Sequence, residues 1–309
     1  MCRVPNKRHT FIPNEIFISE MAKDRILFIS QEIAPYIPTN PSSSLGKFLP
    51  VSMQDKGFEV RTFMPKFGTV NERRNQLHEV IRLSGININI NDNDHPLIIK
   101  VASLQPSRIQ VYFIDNDDYF TKNPEDEDAL GINRDDNDER AIYFAHGTAD
   151  TVKKLLWDPA VVHISGWISA LLPLYLKKKF ARESTYLNSK IFYSVLPGEI
   201  TGKIDKEIFR KLKEEGFDED TISSYENLPL DTNLFHSIAI DNSDAVIFHL
   251  PNPPKQLVER AEKRGIPILY YDKLDDGAQS ISVTIIGAIS AAGIICDSQP
   301  EAKLPNPPP

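Results

Sequence analysis

Short runs of continuous apolar residues alternate along the chain with stretches in which apolar side chains return every third or fourth position. "RILFIS" (Arg25–Ser30) reads as a strand covered on both faces. In "LGKFLPVSMQDKGFEVRTFMPKFG", Leu45, Phe48, Leu49 and Met53 recur at helical spacing, Gly57 stops the helix and "EVRTFMP" resumes as a strand. That is one βαβ unit, for which a right-handed crossover is the rule. "HEVIRL", "INININ" and "LIIKVASL" read as short strands with "NDNDHP" as the turn between the last two, so hairpins interrupt the first half. "RIQVYFID" is a further buried strand, and the acidic, turn-rich "DYFTKNPEDEDALGINRDDNDE" after it reads as an exposed loop.

Beyond that loop the pattern becomes regular. Helix "ERAIYFAHGTADTVKKLL" precedes strand "AVVHIS", helix "ISALLPLYLKKKF" and strand "KIFYSV". Helices "DKEIFRKLKEEG" and "NLFHSIAIDNSD", strand "AVIFHL", helix "PKQLVERAEKRG" and strand "PILYY" follow. Such alternation predicts an α/β fold, a Rossmann-like, open, mostly parallel sheet with helices on both faces. Ligands of such sheets bind at the carboxyl ends of the strands. Three loops are therefore placed to matter: residues 31–44, the turn after Asp115, and residues 163–167.

The ends of the chain read differently. Residues 1–20 lack the apolar stretch of a signal peptide and precede a second start-like sequence, "MAKDRILFIS". The expected organisation is an extension over 1–20, a domain over 21–297 and a proline-rich tail, "EAKLPNPPP", closing residues 298–309. The most apolar stretch, residues 281–296, is shorter than the roughly 18–20 residues of a membrane span and is diluted by Ser, Gly and Thr. It reads as a packed terminal element.

Composition narrows the chemistry. With 41% hydrophobic and 25% charged residues the chain can bury a sizeable core. A net charge of −8 opposes general affinity for nucleic acid or an anionic membrane. Cys2 and Cys296 lie at opposite ends without metal-ligand spacing, which fits a reducing cytoplasm. There is no G-x-G-x-x-G fingerprint, no nucleophile elbow and no zinc spacing, and the acidic run lacks the ligand order of a calcium loop. No metal or cofactor is expected.

Several blocks together, "RILFISQEIAPY", "KGFEVRTFMPKFG", "VYFIDNDDYF", "DNDERAIYF", "WDPAVVHISGWISALLPLYL" and "NSDAVI", resemble landmarks of bacterial glycogen synthases and plant starch synthases. The likeness runs from about Arg25 to about Leu250 and is closest to short, single-domain bacterial members. It implies the N-terminal half of a GT-B glycosyltransferase fold. The family reaction it implies is retaining, metal-independent transfer of glucose from ADP-glucose to an α-1,4-glucan.

Where the family carries its lysine-threonine-glycine-glycine donor loop after a glutamate, this chain carries Glu32 and then Pro38, Thr39, Asn40 and Pro41. Lysine would give a diphosphate a cation and glycines would let N–H groups approach it, whereas proline offers neither charge nor donor. Lys47 stands too far into the helix to replace the lysine. Ser42, Ser43 and Ser44 read as helix caps or sugar ligands. The family's histidine-rich strand end reads "VHISGWISA": His163 and Trp167 persist, but Ser165, Gly166 and Ile168 stand for a histidine, an aspartate and a histidine. A later histidine-asparagine pair falls on Val195 and Leu196.

What remains for a glucan cleft is Asp136, Asn137, Arg140, His163 and Trp167. Four of them also have a structural reading: Asp136 as helix cap, Arg140 in a surface pair, His163 as a structural histidine and Trp167 as core packing. No single catalytic residue is assigned. The resemblance implies α-glucan or maltooligosaccharide as a ligand, with ADP-glucose disfavoured by the altered loop. The family's second domain, with its phosphate-binding arginine and lysine, is not in the sequence, so a separately encoded domain or a synthase partner is a further expectation. Three readings stand: a transferase half, a non-catalytic glucan-binding or regulatory relative, and, on fold analogy alone, another nucleotide-binding module.

Overall fold

The computed structural model describes residues 25–121, 128 and 130–271. The expectations for residues 1–20, for the apolar run at 281–296 and for the proline-rich tail lie outside these.

β1 (Arg25–Ser30) is central because it is apolar on both faces. It pairs in parallel with β2 (Glu59–Pro65) on one side and β7 (Val161–Ser165) on the other. Beyond β7 lie β8 (Lys190–Val195), β9 (Ala245–Phe248) and β10 (Ile268–Tyr270), each parallel to its neighbour. Beyond β2 lies β6 (Ile109–Asp115), also parallel. The antiparallel hairpin strands then follow: β3 (His78–Glu79), β4 (Ile86–Ile90) and β5 (Asn93–Leu104). The sheet order is β10-β9-β8-β7-β1-β2-β6-β5-β3, with β4 on β5.

Helix α1 (Pro41–Asp55) returns β1 to β2 and packs on those two strands. A four-residue α2 (Glu72–Asn75) precedes β3. Further helices make a second layer. α3 (Asn137–Lys154) contacts α4 (Leu172–Leu174), α4 contacts α7 (Thr232–Asp241), and α7 contacts α8 (Lys255–Arg264). α5 (Glu207–Glu214) and α6 (Glu219–Ser223) lie between β8 and α7 in the chain. Right-handed crossovers put α1 on one face of the sheet and the layer on the other, because the chain moves along the sheet in opposite directions from β1. One bond marks the layer's face: Tyr193 of β8 meets His236 Nδ1 of α7 at 2.7 Å.

Four details depart from the reading of the sequence. "HEVIRL" is a strand only at His78–Glu79, because the Ser84 hydroxyl donates to Val80 O and accepts from Ile99 N, folding the rest into a turn. "NDNDHP" turns only at Asn91 and Asp92, both at positive φ (55° and 60°), and β5 begins at Asn93. The helix expected from Ile168 is instead a 3-10 turn (Trp167–Ser169), the short α4 and a π turn (Tyr175–Lys179). Pro173, within it, has no N–H for a continuous ladder. Finally, the start of the expected exposed loop is a π turn (Asp117–Thr121) that buries Tyr119 and Phe120. Among the described residues no helix is long and apolar enough to cross a membrane.

Candidate functional site

The carboxyl ends of β1, β7, β8 and β9 converge on one edge of the sheet, and the chain leaves β1 there through Gln31 and Glu32. Glu32 is buried, which raises its pKa against the opposing bonds from Asn40 and Gln31. Its Oε2 accepts from Asn40 Nδ2 at 2.6 Å and its Oε1 from Gln31 Nε2 at 3.3 Å. Asn40 is also the N-cap of α1. Its Oδ1 accepts from Ser43 N at 2.8 Å, while its own N–H donates to Ser43 Oγ at 2.9 Å, a reciprocal capping box. The cap is thus Asn40 rather than the serines, and Ser43, whose hydroxyl also reaches Pro38 O at 3.0 Å, is its partner one turn in.

This lock explains why two prolines are tolerated. Pro41 is the first helical residue, where a missing N–H breaks no intrahelical bond and φ is already helical. Pro38, Thr39, Asn40 and Pro41 all face solvent, so the loop is open to a ligand yet offers it no cation, and both polar ends of the Asn40 side chain are already bonded.

Next to it stands Gly166, with φ +88°. A Cβ there would come within 2.6 Å of both Cβ and Oε1 of Gln31. The family's aspartate therefore has no room in this chain unless Gln31 moves. Gln31 Oε1 is itself buried without a hydrogen-bond partner.

His163 is buried on β7, and its Nε2 lies 2.9 Å from Ser194 Oγ. On the other side of that hydroxyl, at 3.0 Å, is Nε2 of His249, just beyond β9. Ser194 has one proton, so it donates to one ring and accepts from the other. The two rings then hold opposite tautomers, one presenting Nδ1–H and the other an Nδ1 lone pair, and neither Nδ1 has a partner. Burial lowers the His163 pKa to about 3 and that of His249 to about 4, so both are neutral near pH 7 and neither serves there as a cationic acid. Sequence reasoning missed Ser194 and His249. The signal was present: "AVIFHL" ends a strand on a histidine just as "AVVHIS" nearly does.

The other expected cleft residues turn inward. Arg140 is 1% exposed. Its guanidinium donates to the carbonyls of Tyr119 (2.8 Å), Gly131 (2.8 Å) and Leu130 (2.7 Å) and to Asn137 Oδ1 (2.5 Å). Burial pushes its pKa down to about 10. Asn137 Nδ2 in turn donates to Ile132 O and Arg134 O. Together they fasten the 130–134 segment to α3 and to the turn after β6, and Arg140 forms no surface pair. Asp136 sits at the N-cap position of α3 without a capping bond and instead accepts from Arg134 Nε at 2.7 Å. Its side chain keeps 32% exposure, the largest of the five. Trp167 is 3% exposed, its ring 6.2 Å from that of Phe235. The structure brings Glu32, Asn40, Gly166 and His163 to one strand edge, while Asp136, Asn137 and Arg140 build a separate loop anchor beside β6.

A mostly parallel sheet with a strand-loop-helix unit after β1, helices on both faces and a buried histidine on β7 is a Rossmann-like α/β fold. The chain belongs to the family described as the starch synthase catalytic domain, whose model matches residues 25–262. It is 34% identical over 192 residues to a glycogen synthase of Chlorobium limicola, covering 62% of this chain and 39% of that protein. A glycogen synthase of Chlorobium luteolum is 32% identical over 192 residues, covering 62% of this chain and 39% of that protein. The chain thus spans about 39% of the length of these curated relatives. Among solved structures, the catalytic domain of Starch Synthase IV from Arabidopsis thaliana, bound to ADP and acarbose, superposes with a TM-score of 0.61 at 14% identity. That match covers 80% of this chain and 51% of the other.

Proposed function

We propose that this protein serves α-1,4-glucan metabolism as a synthase-family domain that does not by itself transfer glucose from ADP-glucose. The observation that carries this is the Glu32–Asn40–Ser43 lock. It occupies the family's donor loop with internal bonds, and proline supplies neither the charge nor the N–H groups a diphosphate needs. A separately encoded second domain would be the partner for transfer. Residues 21–297 form the domain in this reading, and a reducing cytoplasm is its compartment. Catalysis needs oriented donors at the developing charge, and each one lost costs about two to three orders of magnitude.

A second reading, a glucan-binding or regulatory relative of a synthase, rests on Asp136, whose carboxylate, paired with Arg134 in the loop anchor beside β6, keeps partial exposure. Separate calorimetric titrations with maltooligosaccharide and ADP-glucose distinguish these. Weak binding of the glucan, abolished by Asp136→Ala in a folded protein, supports the second reading. No binding of either by the isolated chain supports the first, and tight ADP-glucose binding sinks both.

A further inference from the structure

The loop that leaves β1 closes one side of a cavity of about 580 Å³, and α2, its C-cap residue Gln76, β3 and the end of β5 close the others. That size falls within the roughly 300–1,000 Å³ of small-molecule sites. Glu32, Asn40 and His163 do not line it, so it is separate from the strand edge described above. Its aromatic wall is Tyr36, 5% exposed and packed edge-on against Phe113 with ring centroids 4.9 Å apart. Burial pushes the Tyr36 pKa up to about 12, so the phenol keeps its proton and remains a donor. Among the described residues that hydroxyl has no partner. Neither have the side chains of Arg74, Gln76, His78, Ser103 and Gln105, which line the same space.

The lining carries charge of one sign. Arg74 brings a guanidinium and no carboxylate lines the cavity, in a chain whose net charge is −8. The neighbouring carboxylates are directed elsewhere. Glu72 takes Lys66 at 2.9 Å and Lys100 at 2.7 Å, and Glu79 alternates with His78 across β3. Gln76 stands in the left-handed region (φ 55°), which glycine enters freely and residues with a Cβ rarely do, so an amide sits there at a backbone cost. A single cation among amides, hydroxyls and an imidazole matches an anion that carries hydroxyl groups. The Tyr36 ring is too covered to offer a nucleobase a stacking face, which leaves its hydroxyl as the contact. We propose that this cavity binds a small phosphorylated sugar, its phosphate on Arg74 and its hydroxyls on Tyr36, Gln76, Ser103 and Gln105. The site is independent of whether the chain transfers glucose.

The test is calorimetric titration of the intact chain with glucose 1-phosphate, glucose 6-phosphate, inorganic phosphate, glucose and maltooligosaccharide. At least one ester is expected to bind about tenfold more tightly than each of the other three probes, because only an ester engages both the guanidinium and the amides. Arg74→Gln, on an exposed side chain, should weaken that binding about tenfold and leave the melting temperature unchanged. Gln76→Gly should weaken it severalfold while the melting temperature holds or rises, since glycine relieves the left-handed backbone. A purely structural amide would leave affinity untouched. The proposal is overturned if neither ester binds, if inorganic phosphate binds as tightly as the better ester, or if maltooligosaccharide binds more tightly. Ester affinity unchanged in either folded variant overturns it as well.

Discussion

Replacing Arg140 with methionine separates a ligand-facing arginine from a structural one. The guanidinium ties three carbonyls and the Asn137 side chain together, and methionine keeps the stem but no donor. A buried carbonyl left without a donor costs about 1–3 kcal/mol, so three of them set an upper sum of about 9 kcal/mol. Two effects reduce it. Burying the guanidinium already carries a cost, visible in the pKa of about 10, and that cost disappears in the variant. Water also reaches part of the loop. A net loss of about 3 kcal/mol remains, which corresponds to a fall of roughly 10 °C in melting temperature for a domain of this size. Urea unfolding followed by circular dichroism should show a lower midpoint with an unchanged slope. A variant of unaltered stability that had lost maltooligosaccharide binding would refute the reasoning and return Arg140 to the cleft.

Acidification should destabilise the fold below pH 6.5. Burial lowers the folded pKa of His163 to about 3 and those of His236 and His249 to about 4, so the unfolded chain binds protons that the native rings refuse. Stability is complete above pH 6.5 and falls by roughly 1.4 kcal/mol per histidine per pH unit down to about pH 4, readable as urea midpoints at pH 7 and pH 5. Gly166→Asp, restoring the family's residue, should lose about 1–3 kcal/mol from its backbone conformation alone (φ +88°, ψ 161°, a region kept almost entirely to glycine), and pairing it with Gln31→Ala should recover part of the steric loss by removing Oε1. Trp167→Ala should cost about 3–5 kcal/mol in thermal unfolding if the ring is core, and Trp167→Phe much less. Unchanged stability in Trp167→Ala would mean that the indole serves a ligand instead.

The parallel half of the sheet was legible because its strands are covered on both faces and announce themselves as unbroken apolar runs such as "RILFIS" and "KIFYSV". The hairpin strands were less so. β3 shrinks to two residues because a single hydroxyl, that of Ser84, captures the backbone around it, and no periodicity records that. The loss of the donor loop's chemistry could be read from residue types alone, since Pro38 and Pro41 cannot donate. How the loop is held could not, because Asn40 acts through a contact with Glu32 eight positions away. Arg140 carried the opposite lesson. A charged residue in a helix's first turn reads as surface, and only the neighbouring carbonyls of Leu130, Gly131 and Tyr119 show why it is buried. Ser194 and His249 meet His163 across two strand pairings, a proximity that exists only once β7, β8 and β9 are in register.

The central claim, a synthase-family fold whose donor side is internally locked, is tested most directly by incubating the purified chain with radiolabelled ADP-glucose and glycogen and counting glucose in the precipitated polymer. The account predicts no incorporation above a protein-free blank at any protein concentration. Sustained turnover by the isolated chain would contradict it.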